Sequence, residues 1–369
     1  MSNVVSFASL ARAPRVAGQA VPQANGAGAL LAVFAHHRRR QGDAWWLKEN
    51  AELLMILAAL GRKPGDLGLA AYQPFYEGAA EMVTFHPQYY RLILGVVTAL
   101  ESLGYPGDLG PRLAQWIAAE GWIESEVNDL QRAEVRHLLA RNGVTLDCPG
   151  LDQRLIGFLS RPASFALPNP RAAYDLLHVV FYLSDYGRRL IDLPEAAIES
   201  LLMLGCLAHL EQNGDLLGEV LLALHYAGQA LPPLWRDHLR AETAAFRVET
   251  VPCRDSSDAY HNFLVNQWLM GTMGESAFQD IPSAGAMSFR LTRPVIAPLL
   301  EWSQALKGLG AQRSGDWPEM RVACAPQLSD QALAVADAGA AGSPLFDRFF
   351  TSFARAAGPA APPLRRKLA

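Results

Sequence analysis

Apolar residues recur along most of this chain at intervals of three and four, the period of an amphipathic helix. Trp45 to Leu60 shows the pattern first, with Asp43 in position to cap it and Gly61 and Pro64 as stops. A second helix is predicted after Pro87, with Tyr90, Leu94, Val97 and Leu100 on one side and Gly104 and Pro106 closing it. Another begins near Pro111. The run 123–143 carries acids early, bases late and an Asn-Gly end, which complements the helix dipole and predicts a helix with one solvent-facing side. Further helices are predicted over 174–187, 194–212, 215–228, about 232–247 and 257–272. Strand signals are scarce, and 247–251 is the one plausible strand of the central region. The pattern predicts an all-α fold of stacked helical hairpins, arranged as an α/α-toroid or a solenoid.

Residues 1–28 mix Ser, Ala, Gly, Pro and Gln without a period and read as a flexible N-terminal arm. Residues 29–280 form the helical-repeat domain. Across 281–342 glycine and proline at 282, 285, 294, 298, 308, 310, 315 and 318 predict an irregular segment, although 299–309 fits a short helix. In 343–357, Ser343 is a candidate N-cap, Pro344 fits the first helical position, and Phe346, Phe349, Phe350 and Phe353 form a stripe. That stripe either packs back on the body or docks on a protein partner or an anionic membrane surface. A proline-rich basic tail, 358–369, follows.

Half of the 369 residues are apolar, enough for a substantial core in one large domain or two smaller ones. The net charge of −4 and the lack of an extended basic stripe argue against nucleic-acid binding. Cys148, Cys206, Cys253 and Cys324 are too dispersed for a zinc ribbon or an iron–sulfur cluster. With no secretory signal and no apolar run of membrane-spanning length, a reduced, soluble, cytoplasmic protein is expected. Lysine occurs at only four positions while Ala, Gly, Arg and Pro abound, as in GC-rich bacterial genomes.

Candidate chemistry lies near the starts of successive central helices. His178, Glu219 and His261 are separated by 41 and 42 residues, about one helical hairpin, which suggests repeated units. Parallel alternate helices would bring Tyr174 and His178, Asp215 and Glu219, and Tyr260 and His261 to one rim. Tyr174, His178, Phe181 and Asp185 follow at spacings of four, three and four, so Asp185 shares a helix face with Tyr174 and His178. Asp215 and Glu219 are one turn apart, so they could share a proton, hold a hard cation or orient a histidine. His178, Glu219 and His261 are therefore candidate ligands of a divalent metal. His178, Glu219 and Asp185 are candidate catalytic groups, and Tyr174, Asp215, Tyr260 and His261 candidate ligand-binding groups.

Each has a plainer reading: Asp215 as an N-cap, Glu219 as an arginine partner, His178 as a hydrogen-bonded core residue, His261 as part of a first turn. His36, His37 and Arg38 to Arg40 read as a solvated loop or helix end, and Trp45 and Trp46 as core. No P-loop, GxSxG, HExxH or EF-hand pattern is present.

The segments 46–52, 87–91, 129–134, 176–187 and 215–221 together resemble an all-helical family of alphaproteobacterial proteins carrying a domain of unknown function, over most of residues 30–280. The segments with His178 and with Asp215 and Glu219 are also similar to actinobacterial domains of unknown function, often encoded near peptide or secondary-metabolite genes. The resemblance implies a helical domain and brings no mechanism. Two readings follow from the residues: a polar cavity that handles a small molecule or peptide by metal-assisted or acid/base chemistry, and a non-enzymatic helical-repeat adaptor for a protein partner.

Overall fold

A computed structural model describes residues 26–62, 68–252, 257–279, 281–282, 285–293 and 296–356. Most of the expected arm, the whole expected basic tail, Cys253 and Pro64 lie outside the described residues. The chain is all-α, with one two-stranded sheet among the described residues.

The helices run in chain order as α1 (Gly26–Val33), α2 (Ala44–Ala59), α3 (Gln73–Phe85), α4 (Tyr90–Ser102), α5 (Leu109–Ala119) and α6 (Asp129–Arg141). They continue as α7 (Leu151–Leu159), α8 (Pro162–Phe165), α9 (Pro170–Leu183), α10 (Glu195–Glu211), α11 (Gly214–Tyr226) and α12 (Pro233–Ala245). Strand β1 (Phe246–Thr250), α13 (Tyr260–Thr272), β2 (Met287–Leu291), α14 (Pro298–Leu309), α15 (Trp317–Cys324), α16 (Asp330–Gly342) and α17 (Phe346–Ala354) complete the order. None is long and apolar enough to cross a membrane.

The chain divides into two compact units. The first takes residues up to Leu155, His178–Leu190 and Arg240–Arg293; the second takes Ile156–Leu177, Ile191–Leu239 and the residues from Pro294 onward.

In the first unit α4 is central. Ile93, Leu94, Val96, Val97 and Leu100 are buried on more than one face, and α2, α3, α5 and α6 pack around it. The expected cap of α2 is present: Asp43 accepts a hydrogen bond from the Trp45 backbone N–H at 2.8 Å. Between α1 and α2 lies a π-helical turn, Phe34–Arg38. Side chains satisfy its carbonyls, since Asn50 donates to Phe34 O and the Trp46 indole donates to Ala35 O. Tyr72 in turn donates to Asn50 Oδ1 at 2.7 Å. The expected strand forms as β1, pairing antiparallel with β2 from Phe246↔Leu291 to Thr250↔Met287.

In the basic cluster at 36–40, His36, His37 and Arg40 are exposed at a helix end as expected, and Arg38 departs from that expectation. Arg38 is 2% exposed, donating to Glu49 at 2.8 Å and through both terminal nitrogens to Asp258 at 2.9 Å. Arg39 reaches the second Glu49 oxygen at 2.6 Å. The Arg38 guanidinium also lies 4.4 Å from the Tyr260 ring centroid.

In the second unit α10 is apolar almost all round, and its buried Leu201, Leu204, Cys206, Leu207 and Leu210 receive α8, α11, α14, α16 and α17. Gly205 permits the closest approach: a Cβ there would stand 2.3 Å from the Trp235 ring. The Trp235 indole donates to the Ser343 hydroxyl at 2.9 Å.

Residues 298–342 hold three helices: α14 matches the short helix expected over 299–309, and α15 and α16 stand where irregular chain was expected. Pro298 and Pro318 sit in first turns, where no backbone donor is needed, and Asp316 and Ser329 cap α15 and α16. Ser343 ends α16 instead of capping α17, which starts after Leu345 in the left-handed region at φ 58°. Phe346, Phe349, Phe350 and Phe353 are all buried, so this stripe packs on its own unit and leaves no apolar face for a partner.

Candidate functional site

Asp215 and Glu219 stand in the first two turns of α11 in the second unit. Asn213, not Asp215, caps this helix, accepting from the Leu216 N–H at 3.0 Å. With the cap supplied two residues earlier, Asp215 is directed elsewhere: the Tyr174 hydroxyl donates to its Oδ2 at 2.7 Å. Burial and the negative charges of Asp215 and Glu219 push the Tyr174 phenol well above its ordinary range, so it stays a donor.

One turn along, Glu219 is only 3% exposed. A carboxylate oxygen of Asp215 lies within 4.8 Å of one of Glu219. Two carboxylates at that separation, one of them out of water, favour a proton or a cation shared between them. The second unit thus brings together three of the residues singled out from the sequence, Tyr174, Asp215 and Glu219.

The other four belong to the first unit, in two clusters. Tyr260 and His261 open α13 beside Glu52 of α2: the Tyr260 hydroxyl donates to Glu52 Oε2 at 3.0 Å, and His261 Nε2 is 3.7 Å from Oε1. Lys48 pairs with the same Glu52 oxygen at 2.6 Å. Glu52, absent from the sequence-based candidates, is the shared acid here. It was concealed because its i, i+4 relation to Lys48 reads as an ordinary surface pair.

His178 stacks on Tyr182 one turn later on α9, with ring centroids 6.0 Å apart and planes 16° from parallel. Tyr182 also stacks on His137 of α6 at 5.7 Å. Asp185 follows α9 in the left-handed region at φ 50°, with Tyr186 at φ 52°. Such conformations cost about 1 kcal/mol or more for each non-glycine residue and persist where surroundings enforce them. Here three cationic or protonatable groups face Asp185: His137 Nδ1 at 3.7 Å, Arg141 at 3.5 Å and Arg188 at 3.6 Å. Asp185 therefore closes the turn after α9 electrostatically.

His137 itself escaped the sequence analysis because its helix is charged. Burial lowers its pKa to about 4, against an opposing pull from Asp185, so the ring is neutral at neutral pH. His209 in the second unit is lowered to about 4 in the same way by burial, while its Nε2 contacts Val335 O at 3.2 Å.

Among the described residues the cysteines are free thiols. The carboxylate pair on α11 is the arrangement with the clearest chemistry: an acceptor-only surface of hard oxygens, held in orientation by a phenol. Such a surface suits a divalent cation or a shared proton.

Comparison with known proteins gives a family and no activity. No curated protein and no solved structure matches the chain. One family model does, over residues 1–356, and its description is a domain of unknown function. The chain belongs to that family, DUF6902.

Proposed function

We propose that the Asp215–Glu219 pair holds a divalent metal ion and that the protein handles a small molecule or peptide there. The observation that carries this reading is the closeness of the two carboxylates, one of them buried, with Tyr174 fixing the orientation of the other. A cation replaces their mutual repulsion with attraction to a shared charge. His178 and His261 are the imidazoles that the hairpin-length spacing offers as further ligands, and the same spacing supports reading the central helices as repeated hairpins. Bound to such an ion, a carbonyl or phosphoryl oxygen is polarised and a water becomes a nucleophile near neutral pH. His178 would then accept the proton, and a cytoplasmic setting fits the free thiols.

Elemental analysis of the untagged protein, alongside Asp215→Asn, Glu219→Gln, His178→Ala and His261→Ala, tests the proposal. About one equivalent of metal, lost in both carboxylate variants while circular dichroism is unchanged, is the expected result. Metal-free protein that takes up no Mn²⁺, Zn²⁺ or Mg²⁺ in equilibrium dialysis overturns it. Loss in one histidine variant and not the other identifies the imidazole ligand.

A further inference from the structure

The second unit carries a different charged feature at the far end of α14. Ser303, Gln304 and Lys307 of that helix, Arg313 just beyond it and Arg355 at the end of α17 line a cleft of about 430 Å³. Its size falls within the range of small-molecule sites, roughly 300–1,000 Å³. No carboxylate is among the described residues that line it.

Both guanidiniums are tethered through Nε. Arg313 donates to Gly310 O at 2.9 Å, and Arg355 donates to Phe353 O at 3.2 Å with its guanidinium 6.0 Å from the Phe353 ring centroid. Arg355 adopts the left-handed conformation at φ 51°, an unfavourable one for a side chain of its size, which turns it away from the path of α17. Packing of the buried Phe349 and Phe353 holds the helix end in place.

The plain alternative is that these cations only complement helix dipoles, since Lys307 is in the last turn of α14 and Arg355 follows the last turn of α17. The charges do not balance on that account. A helix C-terminus carries about half a negative charge, so two of them offset about one cation of three. Roughly two positive charges are left for a ligand.

We infer that this cleft binds a soluble small molecule through a phosphate or diphosphate group. Two guanidiniums and an ammonium match the charge and oxygen count of such a group, and planar guanidiniums can grip it bidentately. The Ser303 hydroxyl and Gln304 amide supply neutral hydrogen bonds beside it. The remaining volume accommodates an organic body.

Isothermal titration of the full chain with inorganic pyrophosphate tests this, using wild type, Arg313→Gln, Lys307→Ala with Arg313→Gln, and Lys48→Ala as an exposed-lysine control. Saturable binding that weakens at least about ten-fold in Arg313→Gln, more in the double variant and not in Lys48→Ala is expected. Unchanged thermal unfolding in these variants excludes a folding effect. Absence of saturable heat, or equal weakening in the Lys48→Ala control, overturns the proposal. So does binding to vesicles containing phosphatidic acid with no affinity for pyrophosphate, which would assign the cleft to a lipid surface.

Discussion

Tyr174 donates its phenolic hydrogen to Asp215 across 41 residues of sequence, at 2.7 Å. The bond joins α9 to α11 within the second unit and sets the direction in which one carboxylate of the pair presents its remaining lone pairs. Tyr174→Phe removes the donor and leaves the ring. The variant should lose about 1 kcal/mol of stability, and it should bind metal more weakly than wild type but more tightly than Asp215→Asn. Urea unfolding and metal titration measure the two effects, and an affinity equal to wild type would show that the phenol does not orient the site.

Buried neutral histidines make stability depend on pH. His137 and His209 both have pKa values near 4 in the folded protein against 6.5 when solvated. The unfolded chain therefore binds more protons between these values, and stability is complete above about pH 6.5 and lost as pH falls toward 4. Each histidine contributes up to roughly 3 kcal/mol across that window. Urea midpoints at pH 7, 6 and 5 should fall progressively, and His209→Leu should flatten the decline. Equal slopes for the variant and wild type would assign the acid sensitivity to other groups.

Gly205→Ala reverses an ordinary preference. In an exposed helix interior the change stabilises by up to about 1 kcal/mol. In α10 the new methyl meets the Trp235 ring at 2.3 Å, and overpacking of this kind costs about 1–3 kcal/mol. A lowered melting temperature is expected. In a Trp235→Leu background the same substitution should be neutral or favourable, a sign change that a nonspecific effect would not produce.

Arg38→Met leaves Asp258 and one oxygen of Glu49 without their guanidinium in a dry setting. Breaking one partner out of a buried ion cluster costs about 3–5 kcal/mol. Arg38→Lys should recover only part of this, because one ammonium cannot reproduce two parallel bonds to Asp258 and a third to Glu49. Guanidinium unfolding gives the ranking, and a lysine variant as stable as wild type would mean that charge alone suffices.

The local parts of this fold were legible in the sequence. Asp43 and the spacing of Trp46, Leu53, Leu54 and Leu57 define α2 without help from elsewhere. Failures arose where a distant partner decides. Ser343 reads as an N-cap until Trp235, 108 residues away, claims its hydroxyl. Arg38 reads as solvated because Asp258 is 220 residues away. Proline in 298–318 suggested a broken chain, although at a first turn it starts helices. Of the site, the one-turn spacing of Asp215 and Glu219 was readable, whereas Glu52 and His137 depend on which helix lies opposite, which spacing alone does not encode.

The Arg38 cluster has a consequence during synthesis on the ribosome. Arg38 and Glu49 emerge early, while Asp258 and the Phe289 ring beside the guanidinium are made more than two hundred residues later. A nascent chain of intermediate length has the arginine and one counterion but lacks the aspartate that completes the cluster. Native closure of the cluster therefore waits until β2 has left the exit tunnel, which makes it a late, long-range step of folding.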